Sequence, residues 1–251
     1  MRAATSYLAS MKTAARVALA LSALTLLSGC QKQDDAAFGA RVRAYLLEHP
    51  EVMREVAQKL SEKEQAEAAK ASSEAIGKFR AQLERDPRDL VANPNGKVTV
   101  VEFYDYRCGY CKLAAPEVLE LIRSQPDVRF VFKEYPIFGD VSDEAAKIAL
   151  TPVAKAKGLQ LHQAWMADKS LTQAGIDRHL TEAGIDPKVA REQAKDPAIE
   201  RHLIETRQLA QNMHIEGTPA FIVGDTMIPG ADMSALRAAI LVAKAGDLKK
   251  G

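Results

Sequence analysis

Val98-Thr-Val-Val-Glu-Phe-Tyr-Asp-Tyr-Arg-Cys-Gly-Tyr-Cys111 is a β-branched and aromatic run that breaks directly into a Cys-X-X-Cys. Val98 to Tyr104 reads as a buried strand, since apolar side chains fall on both of its faces. The following Lys112-Leu-Ala-Ala-Pro-Glu-Val-Leu-Glu-Leu-Ile122 reads as a helix with Leu113, Val118, Leu121 and Ile122 as its apolar side. Pro116 falls early in that helix and predicts a kink. Cys108 then stands at a helix N-terminus, where unpaired N–H groups and the macrodipole favour an anion. Arg107 and Lys112 add positive charge. Because the thiolate is the reactive species, this is where an attacking cysteine is expected. Cys111, one turn further in, is the expected resolving thiol.

Two thiols at this spacing can shuttle between dithiol and disulfide, with no metal or other cofactor required. A zinc half-site is the competing reading of the pair. Tetrahedral zinc takes four N or S ligands. The sequence has no second cysteine pair, and His49, His162, His179, His202 and His214 are scattered. Cu(I), which is soft, can be held by two thiolates alone and stays open as an alternative.

A second constellation is Glu216-Gly-Thr-Pro-Ala-Phe-Ile-Val-Gly224, a Gly-Thr-Pro turn feeding a strand. Cys108-Gly109-Tyr110-Cys111 after a strand, followed about a hundred residues later by Gly217-Thr218-Pro219, resembles the DsbA-like branch of the thioredoxin superfamily. The resemblance implies that the Thr218–Pro219 bond is cis and lies against the redox pair. It also implies that the backbone of Thr218 pairs with the substrate chain. The family's buried acid, six residues before the first cysteine, corresponds to Glu102, and its lysine on the next central strand to Lys133. Such a carboxylate and ammonium would tune the pair and accept the proton of Cys111. The apolar neighbours Val100, Val101, Phe103 and Tyr104 argue independently that Glu102 is buried. The Gly109-Tyr110 dipeptide, with Thr218 before the proline, resembles the disulfide isomerases more than the strongly oxidising members.

Upstream, Tyr45-Leu-Leu-Glu-His-Pro-Glu-Val52 resembles the N-terminal extension of the ScsC (suppressor of copper sensitivity) proteins, some of which are homotrimers. Val42, Tyr45 and Leu46 recur at helical spacing, and Val52, Met53, Val56 and Leu60 do so after Pro50. Pro50 and Glu51 suit the first turn of a new helix. Each piece is too small to fold alone, so the apolar stripe needs a partner. The expected division is an oligomerisation segment at 31–62, an Ala- and charge-rich helical linker or hinge at 63–92, and a catalytic domain at 93–251. Several redox sites facing one space would suit isomerisation. The resemblance implies a membrane reductase of the ScsB type as electron donor.

Residues 1–30 read as a targeting segment. Arg2, Lys12 and Arg16 precede an apolar core too short to span a bilayer. The core ends in Leu27-Ser28-Gly29-Cys30, which resembles a bacterial lipobox with Cys30 as the lipidated residue. Met11 is an alternative start. Gln31 after the cysteine points to the outer membrane by the usual sorting rule, which places the chain in the periplasm on a lipid anchor. Disulfide chemistry suits that compartment.

The formal charge of +1 over 251 residues gives no case for nucleic acid. A strand is expected at 127–133. A helical insertion over about 142–214 follows, with helices at 172–183 and 187–213. A hairpin then turns at Gly224-Asp225, and a closing helix spans 232–244. Trp165 is expected in the core and His214 at the surface. The expected fold is α/β, thioredoxin-like, with a mixed central sheet, a DsbA-type helical insertion and a helical N-terminal extension. The expected activity is thiol–disulfide exchange with protein substrates, by a trimeric isomerase or reductase. A monomeric DsbA-like thiol oxidase and a Cu(I)-binding redox module in copper tolerance are the alternatives.

Overall fold

The computed structural model describes residues 35–248. The expected signal segment 1–30, its lipobox and Cys30 lie outside them. The chain divides into two compact units, Met1–Lys63 and Glu64–Gly251.

The first unit contains α1 (Asp35–Glu48) and the beginning of α2 (Glu51–Glu84), separated at His49-Pro50. Pro50 lacks an N–H and ends the first helix, and Glu51 opens the second. None of the unit's described side chains is fully buried, and Val42, Tyr45, Met53, Val56 and Leu60 are all exposed.

The second unit is built on a five-stranded sheet in the order β1-β3-β2-β4-β5. Its strands are β1 (Leu90–Ala92), β2 (Val98–Tyr104), β3 (Val128–Glu134), β4 (Ala220–Val223) and β5 (Thr226–Pro229). The β2–β3 pair is parallel and the other three are antiparallel, which makes the sheet mixed. Side chains alternate along each strand, so β2 feeds two cores. Val98, Val100 and Tyr104 join Phe130, Phe132 and Phe221 on one face. There they pack with α3 (Gly109–Ser124), with Leu236 and Ile240 of α10 (Met233–Leu248), and with the helical block. Val101 and Phe103 join Val131 and Ile222 on the other face.

The stretch 63–92, expected as a helical linker or hinge, belongs from Glu64 onward to the second unit instead. Ile76 and Leu83 lie seven positions apart on one side of α2, and both are fully buried under the second face of the sheet. The α2 carbonyls of Gln82 and Glu84 accept hydrogen bonds from Lys133 Nζ and Arg129 Nη1, at 2.5 and 2.8 Å. β1 completes the sheet edge against β3. The domain expected at 93–251 therefore begins near residue 64.

Between β3 and β4 run α4 (Asp140–Ala149), α5 (Pro152–Lys155), α6 (Gly158–Ala167), α7 (Gln173–Glu182), α8 (Pro187–Gln193) and α9 (Pro197–Asn212). This is the helical insertion, and Trp165 is fully buried within it. The single helix expected over 187–213 is two helices. Asp196 accepts the N–H of Ala198 and Pro197 occupies the first turn of α9, a start signal that also ends α8.

Candidate active site

Cys108 is the N-cap of α3. Its backbone is extended (φ −67°, ψ 120°), and its Sγ accepts the N–H of Cys111 at 3.4 Å. Both cysteines are free and buried. Cys111 sits in the first turn of α3, packed in the same core as Val100 and Phe132.

The Thr218–Pro219 peptide is cis. Pro219 leads into β4, which pairs antiparallel with β2 and so returns the chain beside the β2–α3 junction. Thr218 O thereby accepts the Cys108 thiol at 3.1 Å, while Thr218 Oγ1 is buried without a hydrogen-bond partner. Thr218, Pro219, Cys108 and Cys111 thus form one cluster from two segments of the chain.

The electrostatics separate the two thiols. Hydrogen bonding from the Cys111 side chain lowers the Cys108 pKa to about 6 against the opposing effect of burial. The backbone N–H groups of Cys111 and Tyr110 add to the lowering. Burial, together with the hydrogen bond to Cys108, drives the Cys111 thiol strongly upward. Cys108 is therefore the thiolate near neutral pH, and Cys111 needs a base to act.

Glu102 is buried on the same face as the cysteines. Its cross-strand neighbours in register are Phe132 on β3 and Phe221 on β4. Those aromatic flanks exclude water, and Glu102 Oε2 has no hydrogen-bond partner. Burial, with the charge of Cys108, raises the Glu102 pKa to about 8.

Lys133 does not join this cluster. It is paired with Phe103, one position beyond the pairing of Glu102 with Phe132, so it faces the second core. There its ammonium is fully buried in an ion pair with Asp89. Asp89 in turn bonds His202 Nε2 at 3.0 Å. The expected Glu102–Lys133 couple is absent because a one-residue step along a strand changes the face.

Lys112 and Arg107, expected as nearby cations, are both engaged. Lys112 Nζ donates to the carbonyls of Trp165 and Asp168, and Arg107 Nη1 donates to Phe138 O at 3.0 Å. Gly109 opens α3, and Tyr110 is exposed beside the sulfur. His214 is exposed at the end of α9, with a positive φ of 55°. Asp105 was hidden within the β-rich run. It is buried and accepts four hydrogen bonds around the Cys108 loop. Among the described residues no group of three or more His, Cys, Asp or Glu is arranged to hold a metal ion.

The family model for a DSBA-like thioredoxin domain matches residues 99–241, from β2 through the cysteine pair and the Thr-Pro turn into α10. The chain belongs to the DSBA-like thioredoxin family. Its sheet and helical insertion are the thioredoxin fold of that family. A second model, the copper resistance protein ScsC N-terminal domain, matches residues 34–67 and marks the ScsC type within the family. Among solved DSBA-like relatives, BcfH of Salmonella enterica Typhimurium is 32% identical, with a TM-score of 0.70 covering 83% of this chain and 95% of that one. A linker-deletion mutant of Proteus mirabilis ScsC is 25% identical, with a TM-score of 0.65 covering 87% and 98%. A periplasmic thioredoxin-like protein from Salmonella enterica serovar Typhimurium is 32% identical, with a TM-score of 0.61 covering 66% and 96%. The chain spans 29% and 30% of the length of the curated relatives it matches, Na(+)/H(+) antiporters NhaA of Salinispora tropica and Salinispora arenicola, at 28% and 29% identity.

Proposed function

We propose that this chain is a periplasmic protein disulfide isomerase or reductase, assembled as a homotrimer through its N-terminal unit. The observation that carries the exchange chemistry is Cys108 Sγ, held by the Cys111 N–H on one side and beside Thr218 O on the other. The Cys108 thiolate attacks a substrate disulfide, forms a mixed disulfide and releases one substrate thiolate. In isomerisation that thiolate, or another from the same chain, attacks a different sulfur and frees Cys108 unchanged. In reduction Glu102 takes the proton of Cys111, and the Cys111 sulfur attacks Cys108 Sγ. The second substrate thiol leaves and the Cys108–Cys111 disulfide closes. Two electrons have passed to the substrate, and a membrane reductase of the ScsB type restores the dithiol.

The trimer reading rests on the exposed stripe of Val42, Tyr45, Met53, Val56 and Leu60 within the segment matched by the ScsC N-terminal model. An apolar stripe of this length on helices with no core of their own is a self-association surface. Lipidation at Cys30 would hold the assembly at the outer membrane with the redox sites in the periplasm.

The test is reactivation of scrambled ribonuclease by the reduced protein starting at Gln31, beside the same protein carrying Val56→Glu and Leu60→Glu, with mass in solution measured for both. Trimeric mass and reactivation in the first, with loss of both in the second, support the proposal. A monomer that oxidises a reduced peptide briskly and reshuffles nothing would replace it with a thiol oxidase.

A further inference from the structure

Asp105 ties the cysteine loop to a second loop across the site. Its Oδ1 accepts the N–H of Arg107 at 2.6 Å and the hydroxyl of Ser142 at 2.8 Å. Its Oδ2 accepts the N–H groups of Ile137 and Phe138 at 2.7 and 3.1 Å. An ionised carboxylate offers about four acceptor sites and no donor, and here four donors from three segments converge on it. Asp105 O also accepts the N–H of Cys108 at 3.1 Å. Arg107 Nη1 closes the frame by donating to Phe138 O at 3.0 Å. Gly139, with a φ of 87°, then turns the chain into α4, a backbone conformation that a residue with a Cβ rarely takes.

The held loop presents apolar side chains outward. Ile137 and Phe138 are 39% and 47% exposed, and Tyr110 and Leu113, one turn apart on the same side of α3, are 67% and 72% exposed. Four large apolar groups are thus exposed on the two segments that Asp105 and Arg107 tie together, while Cys108 itself is only 3% exposed. The occupant of this surface is the chain that carries the attacked disulfide, and an unfolded segment with apolar side chains beside its cysteine fits it best.

Resting on the exchange reading above, we propose that Asp105 is a positioning residue for protein substrates. Its carboxylate holds the Ile137–Phe138 edge against the Cys108 loop and so builds one wall of the surface that receives unfolded chain. It takes no part in bond making. The sulfur's own stabilisation comes from Cys111 and the start of α3.

The experiment measures exchange kinetics of the full mature protein with two disulfides, oxidised glutathione and scrambled ribonuclease. The proteins compared are wild type, Asp105→Ala, Asp105→Asn, the double variant Ile137→Ser/Phe138→Ser, and the triple variant combining that pair with Asp105→Ala. Glutathione exchange is expected to stay within about twofold throughout. For ribonuclease, KM is expected to rise about tenfold in Asp105→Ala and in the double variant, with kcat nearly kept. The triple variant should be no worse than either, since both changes remove one wall. Asp105→Asn, which keeps one oxygen acceptor, should fall between. Equal loss with both disulfides in Asp105→Ala would mean a disturbed sulfur or fold and overturn the proposal. So would an unchanged ribonuclease KM in the double variant, whose backbone N–H groups still donate to Asp105. A wild type that exchanges with neither disulfide would remove the underlying exchange reading as well.

Discussion

Glu102 and Lys133 stand on neighbouring strands and face opposite sides of the same sheet. Glu102 looks toward the cysteines between Phe132 and Phe221, whereas Lys133 is locked to Asp89 and the end of α2. Lys133 therefore lends the acid no charge, and burial sets its proton affinity.

This has a signed consequence for Glu102→Gln. A Glu102 pKa raised to about 8 from an ordinary 4.5 means that the native state holds a proton the unfolded state lacks, so Glu102 lowers stability as pH rises through that window. Removing the group removes this decline. The stability of reduced Glu102→Gln relative to wild type should improve by roughly 2–4 kcal/mol between pH 5 and pH 9. Denaturant melts across that range check it, and parallel pH curves for the two proteins would contradict it. The same variant should lengthen the life of the mixed disulfide about a hundredfold, as expected for loss of a general base.

Cys108 has the opposite sign. Its pKa is lowered to about 6 from an ordinary 9.0, so its contribution to the reduced protein is fully present above pH 9 and is lost as pH falls through 6. Alkylation of Cys108 by iodoacetamide should rise with a midpoint near pH 6, while Cys111 stays unmodified in the native protein. A single midpoint above pH 8, shared by both thiols, would show that the α3 N-terminus does not hold the thiolate.

Lys133→Met separates fold from chemistry. Removing the lysine leaves the buried Asp89 carboxylate with His202 in place of its ion-pair partner, at a cost of about 3–5 kcal/mol. The alkylation midpoint of Cys108 should not move, because the lysine lies on the far face. A shifted midpoint in a variant that remains folded would place Lys133 back in the redox site.

Ile76→Ala and Leu83→Ala should each destabilise the catalytic unit by about 2–5 kcal/mol, the cost of a cavity in a packed core. Lys70→Ala, on the same helix but exposed, should change stability by less than about 0.5 kcal/mol. Equal small effects at all three positions would restore the reading of this stretch as a spacer.

The cysteine pair, its strand, the Thr218–Pro219 turn and the helical insertion were legible because each is marked by short-range chemistry: β-branched runs, a Cys-X-X-Cys, and proline. The face of Lys133 was not, since proximity on the next strand says nothing of register, and register is fixed by β2–β3 pairing. The burial of α2 was missed for a different reason. Two residues, Ile76 and Leu83, anchor a segment otherwise made of alanine and charge, and composition averages them away. Asp196-Pro197 was a readable helix start within a longer apolar period. Asp105 carried no signal, because its four donors come from residues up to 37 positions away.

The course of α2 also bears on how such proteins can be recombined. A crossover at residue 93 would strip Ile76, Leu83 and the Gln82 carbonyl from the sheet and hand the recipient a mismatched cover. A crossover near residue 64 would pass on a whole inherited module. The ScsC N-terminal model ends at residue 67, beside the boundary of the compact units at 63 and 64. An exchange of N-terminal segments is therefore tolerated up to that point, while the remainder of the helix has to stay with the sheet it covers.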